Sequence, residues 1–333
     1  MHSQQQLPMP ASTSPACSGQ SIRHLPITLF GAVMSIASLS LAWRLAAGRY
    51  GAPLAVSNAI GGIALAAFAA VALAYLLKAV LHPALVMQEF RHPIVGNFFG
   101  TIGIGILLLS SVIQPWHGGA QIVVWLIGAL ATLSVSAAMI TRLLGGNGAP
   151  ASVTPPWLIA GVGSLNIVVA GGAFSMQWAR EINLLAAGVG GVSALVFFTM
   201  IFSRLVHHEP LAAGMRPAKM ILVAPFAVGF IAYVRLTGQV DMFAGMLFHV
   251  ALFLFAVVGY RLLRQPAPFS QAWWAIGFPI AALSNAALLY ADAAGGWPLS
   301  LIAIVLLALI SATVLVLFAA TVRALITGRL LAG

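Results

Sequence analysis

Charge is absent from long stretches of this chain. No Asp, Glu, Lys or Arg stands between Arg91 and Arg142, between Arg142 and Arg180, between Arg264 and Asp292, or between Asp292 and Arg323. A helix needs about 20 apolar residues to cross the hydrocarbon core of a bilayer. Every gap is long enough for one crossing, and the first two for a pair, or for one crossing and a loop. The chain is 61% hydrophobic and 6% charged, against roughly a quarter charged in a soluble domain. No soluble core hides that much apolar surface, so the fold class is an all-α polytopic membrane protein. A transmembrane β-barrel would show short alternating segments instead. The net charge of +10 does not indicate nucleic acid, because the 15 basic residues are scattered at segment ends rather than gathered on one face. Cys17 is the only cysteine, which excludes intrachain disulfides and cysteine-built metal clusters. No metal or cofactor is expected.

Breaking the chain at Gly and Pro clusters gives ten spans: Pro26–Ala46, Leu54–Val80, Pro93–Ile113, Gly119–Arg142, Pro155–Phe174, Ile182–Leu205, Pro217–Leu236, Val240–Leu263, Gln271–Ala291 and Pro298–Leu325. An even number puts both ends of the chain on one side. That side holds Arg23, Lys78, Arg91, Arg142, Arg204, Arg216, Lys219, Arg261, Arg264, Arg323 and Arg329, whereas the other holds only Arg44, Arg49, Arg180 and Arg235. The positive-inside rule makes the first side cytoplasmic, so both termini are expected inside. Residues 1–21, rich in Gln, Ser and Pro, read as a disordered cytoplasmic tail. Residues 22–328 read as one transmembrane domain and 329–333 as a short tail.

The odd-numbered spans start near residues 26, 93, 155, 217 and 271. That spacing suggests five helical hairpins in one orientation, related by rotation about the membrane normal, unlike the inverted repeats of many secondary transporters. Pro225 and Pro279 lie inside odd spans, and no even span has an interior proline. Proline removes a backbone donor and clashes with the preceding turn, so both helices should kink there. Five like helices in a ring would surround a central path, with the even helices outside. Candidate polar lining comes from Ser35, Ser38, Asn97, Thr101, Ser164, Asn166, Ser284 and Asn285 on the odd helices. Each reads equally well as a side chain bonded within its own helix bundle. No charged residue stands near the middle of any span, where ion-coupled carriers keep one. Phe278, beside Pro279, is either core packing or a plug of that path. His249 reads as a packed histidine and His207-His208 as part of a solvated loop. No acid–base constellation for an intramembrane hydrolase is visible.

Several stretches carry a resemblance. Pro26-Ile27-Thr28-Leu29-Phe30-Gly31 with Leu39-Ser40-Leu41-Ala42-Trp43, then Ala218-Lys219-Met220-Ile221-Leu222-Val223-Ala224-Pro225, then Trp274-Ala275-Ile276-Gly277-Phe278 with Ser284-Asn285-Ala286, stand in the first, seventh and ninth spans. In that order they resemble the tellurite-resistance/dicarboxylate transporter family, which includes slow anion channels of guard cells. The resemblance implies five hairpins, an inner ring of kinked helices around a pore, and a homotrimer with one pore per subunit. It also implies that the pore is occluded by an aromatic residue matching Phe278. The plant members carry long phosphorylated termini, and the short tails here suggest no kinase gating. The expected function is passage of small inorganic or organic anions across the bacterial inner membrane. A carrier of tellurite, sulfite or C4-dicarboxylates is the alternative within transport, and an intramembrane enzyme the alternative from another class.

Overall fold

The computed structural model describes residues 21–146, 152–265 and 269–328. Apart from Ser21, the two expected tails lie outside the described residues. The helices in chain order are α1 (Phe30–Tyr50), α2 (Leu54–Leu81), α3 (Pro83–Arg91), α4 (Gly100–Ile113), α5 (Gly118–Leu144), α6 (Trp157–Val162), α7 (Leu165–Gly171), α8 (Gln177–His207), α9 (Ala224–Thr237), α10 (Met242–Arg264), α11 (Trp274–Ala294) and α12 (Trp297–Ile326). Among the described residues, nine helical stretches are long and apolar enough to cross a membrane.

The fifth expected span, Pro155–Phe174, is not one helix. It is α6 followed by α7, with the helix lapsing at Gly163 and Ser164. Helix α3, where only a connection was expected, is a short amphipathic element between the first two hairpins. Its partner Lys78, expected among the basic residues at segment ends, is fully buried. The Lys78 ammonium donates to Glu89 at 2.6 Å and to the Leu25 carbonyl at 2.7 Å, and the Tyr75 hydroxyl donates to the other oxygen of Glu89 at 2.6 Å. A buried ammonium is tolerated when paired and hydrogen-bonded like this. The triad pins α2, α3 and the N-terminal segment together.

Two kinds of helix alternate. Helices α1, α4, α6–α7, α9 and α11 form a closed ring, each touching the next and α11 touching α1. Helices α2, α5, α8, α10 and α12 pack outside, each against its own hairpin partner and the next member of the ring. The four uninterrupted inner spans are 61–78% buried, whereas the five outer ones are 17–33% buried. The outer faces are apolar where exposed, as at Leu73, Leu130, Leu195 and Leu315, which fits a hydrocarbon solvent. Four inner spans open with a tighter 3-10 segment, at Ile27–Leu29, Val95–Phe99, Ala213–Val223 and Gln271–Trp273. Pro225 therefore does not kink an α-helix. It occupies the first turn of α9, where the 3-10 geometry gives way and a missing N–H leaves no α-helical bond unmade. Pro279 does lie within α11. The inner helices all start at one end of the bundle, which we call the basic end; the other is the far end.

Candidate functional site: an axial path through the inner ring

Two cavities lie inside the ring, on either side of Phe278. The larger, about 370 Å³, is lined from the C-terminal halves of the inner helices, including Ser38, Arg44, Ser111, Asn166, Arg235, Phe278 and Asn285. The smaller, about 40 Å³, is lined from their N-terminal halves, including Thr28, Thr101, Asn166, Ile221, Trp274, Phe278 and Pro279. Phe278 and Asn166 line both. The larger cavity reaches the far end, where Gln114 and Arg235 are exposed. The smaller one points to the basic end and is mostly apolar. Phe278 is only 8% exposed, and it and Asn166 are the two residues common to both linings.

The five inner helices enter this path in register. Counting from Pro26, Pro93, Pro155, Pro217 and Gln271, the eighteenth residue on is Arg44, Ser111, Ala173, Arg235 and Leu289, and all five line the larger cavity. The eighth residue on is Met34, Thr101, Gly163, Pro225 and Pro279. Four of these line the smaller cavity, and Pro225 stands beside Ala224, which also lines it. The helix lapse at Gly163 and the two prolines thus share one place in the repeat, beside the smaller cavity. Pro279 leaves the carbonyl of Ala275 without a helical donor, and Ala275 lines the smaller cavity too.

Packing fixes Phe278 in place. Gly277 faces Ser35 of α1, where a Cβ would collide with the hydroxyl. That close approach seats α11 against α1. About two helical turns further on, the Asn285 carboxamide donates to the Ser38 carbonyl at 3.0 Å and to the Ala281 carbonyl at 2.8 Å. Arg44 is fixed as well. Its guanidinium donates to the Ser111 and Val112 carbonyls at 2.9 and 3.2 Å, capping the end of α4 as a cation should.

The residues named from sequence separate into two groups. Thr101, Asn166, Ser38 and Asn285 line the axial path. Ser35 does not: it is fully buried, donating to the Gly31 carbonyl at 2.8 Å. Asn97 does not either; it lines a separate crevice with Arg91, Arg142 and Trp157. Ser164 and Ser284 are buried away from both cavities. The His249 Nδ1–H donates to the Gly245 carbonyl at 2.7 Å, and the ring packs edge-on against Tyr290. Sequence reasoning missed Arg44 and Arg235, whose identical place in the repeat was available as a signal. Among the described residues, no group of three or more His, Cys, Asp or Glu is arranged to hold a metal.

Fold and cavities define a class: a polytopic helical membrane protein with a ring of inner helices around two cavities, the larger lined by two arginines. The chain belongs to the SLAC1 family, described as voltage-dependent anion channel, whose profile matches residues 24–322. It is 26% identical to the S-type anion channel SLAH2 of Arabidopsis thaliana, over 85% of this chain and 56% of that protein. It is 27% identical to the guard cell S-type anion channel SLAC1 of the same plant, over 85% and 52%. It is 25% identical to the tellurite resistance protein TehA homolog of Haemophilus influenzae, over 79% and 80%. The chain spans about half the length of the plant relatives it matches.

Proposed function

We propose that this protein is an anion channel: small anions pass along the axis of the inner ring, and Phe278 closes the path. The observation that carries this reading is that Phe278 lines both cavities and stands between them. A ring at a narrow apolar point blocks by bulk and by expelling water. On its far-end side Arg44 and Arg235 supply positive charge, and no acidic residue lines either cavity among the described residues. An anion needs dipoles or cations to replace its water, and the larger cavity offers both. By the bias of basic residues, the basic end faces the cytoplasm and the larger cavity opens to the opposite side of the inner membrane. Three such subunits, each with its own path, are the assembly suggested by the family resemblance. Enzymatic chemistry has no support in the residues lining the path.

Planar-bilayer recording of the purified protein tests this. Phe278→Ala removes the ring and should raise anion current at least about tenfold, the equivalent of about 1.4 kcal/mol off the barrier. Unchanged current from normally folded Phe278→Ala protein overturns the assignment. Chloride, nitrate, sulfite and malate compared in the same variant rank the substrates. Cross-linking in native membranes reads the oligomeric state.

A further inference from the structure

At the basic end, α8 packs on α9, and the 3-10 segment Ala213–Val223 packs on α9 and α10. Arg204 sits in the last turn of α8. It continues the buried stripe of α8 formed by Gly190, Ser193, Phe197 and Ile201, so its side chain is held inward and is only 8% exposed. Its Nε and Nη1 atoms are buried with no hydrogen-bond partner. Lys219 lies in the field of three cations, Arg204, Arg216 and Arg261. Among the described residues none of these four makes an ion pair; the two ion pairs present are Arg49 with Asp292 and Lys78 with Glu89. Glu209, on the connection just after α8, pairs with none of them.

Lys78 shows how this chain treats a buried cation when no ligand is involved: it supplies a carboxylate and a carbonyl. Arg204 has neither. An unpaired buried charge is heavily penalised, and Arg204 and Lys219 also repel each other. Both penalties disappear when an anion with several acceptor oxygens occupies the cluster. A phosphate group fits this chemistry best. The planar guanidinium fork engages two oxygens at once, and a lysine adds a point charge.

We propose that Arg204, Arg216, Lys219 and Arg261 form a phosphate-binding site, separate from the axial path and at its basic end. Ile221, two residues beyond Lys219, lines the smaller cavity. Bound phosphate therefore restrains a wall of the constriction that Phe278 closes. The phosphate is carried either by a lipid headgroup or by a soluble anion.

The full-length protein in a neutral detergent is titrated with inorganic phosphate and, separately, with dihexanoyl phosphatidic acid, following the unfolding midpoint. A saturable upward shift with both probes identifies soluble phosphate as sufficient; a shift with the lipid alone identifies a headgroup site. In either case Lys219→Gln and Arg261→Gln weaken the apparent affinity about tenfold each, the value of one charge-assisted bond. Arg204→Gln abolishes the shift and raises the ligand-free midpoint, because it removes the unpartnered charge. The proposal fails if neither probe moves the midpoint, or if the shift survives in Lys219→Gln and Arg261→Gln. It fails equally if Arg235→Gln, and not Lys219→Gln, weakens binding, since the phosphate then sits in the axial path.

Discussion

The outer helices are continuous and the inner ones are not. Among the outer five, the shortest runs 23 residues and the longest 31, with no proline beyond the first turn. The inner five open in 3-10 geometry, lapse at Gly163 and Ser164, or carry Pro279 mid-helix. The difference follows from the solvent. Lipid offers no hydrogen bonds, so a helix facing it must satisfy every backbone group internally. A helix walled off by others is free to break where the break lines a cavity. Irregular backbone thus marks the inner ring, and within it the layer around Phe278.

The comparison is broken most directly by moving a proline. Leu130 is on α5 and 71% exposed. Leu130→Pro should cost about 3 kcal/mol or more and abolish the monodisperse peak in size-exclusion chromatography. Pro279→Ala, which adds a helical donor to an inner helix, should change stability by no more than about 1 kcal/mol. A Leu130→Pro protein with wild-type yield and unfolding midpoint would mean that continuity of the outer helices has no energetic basis. A second pair compares rings in the two environments. Phe253, on α10, is 67% exposed, and Phe253→Ala should leave anion current unchanged. Phe278→Ala should raise it at least about tenfold. Equal effects from both would remove any special role from the inner position.

Much of this organisation is legible in the residues. Nine of the ten spans were bounded within several residues because lipid-facing helices must be long and apolar, and composition records that requirement directly. The lapse at Gly163 and Ser164 was not legible, since no proline marks it. A Cβ at Gly163 would stand 2.7 Å from the Ile159 carbonyl one turn before it, with Thr132 and Ile104 of neighbouring helices at 3.3 and 3.5 Å. Asn97 failed as a lining residue for a geometric reason. It lies in the 3-10 segment Val95–Phe99, where each residue turns about 120° rather than about 100°. Facing directions counted from an α-helical period drift there by about 20° per residue. Ser35 follows Met34, which lines the smaller cavity, and so points about 100° away from it. Arg44 and Arg235 were read as membrane-edge charges. On an outer helix that reading would suffice; on an inner helix the edge of the membrane is the wall of the path.

Glycine gives a smaller contrast. Gly277 of α11 has Ser35 against it, whereas Gly62 of α2 has no atom within 4 Å of where a Cβ would stand. Gly277→Ala should cost about 1–3 kcal/mol through overpacking. Gly62→Ala should be neutral or gain up to about 1 kcal/mol from helix propensity. Thermal unfolding in detergent reads both. If Gly277→Ala matches Gly62→Ala, the approach of α11 to α1 is not what seats Phe278.

The finest distinction lies between the two arginines of the larger cavity, which share one place in the repeat. Arg44 is committed to the Ser111 and Val112 carbonyls, so its removal would leave the end of α4 uncapped and confuse structure with conduction. Arg235 makes no ion pair among the described residues and is exposed, so Arg235→Gln removes charge and little else. In the Phe278→Ala background, where current is large enough to measure, Arg235→Gln should lower anion conductance about two- to threefold at 10 mM salt. The loss should fade at 1 M salt, where the screening length shrinks from about 30 Å to about 3 Å. A salt-independent loss would mean that the Arg235 guanidinium acts otherwise than through its charge, and the positive field of the cavity would then rest on Arg44 alone.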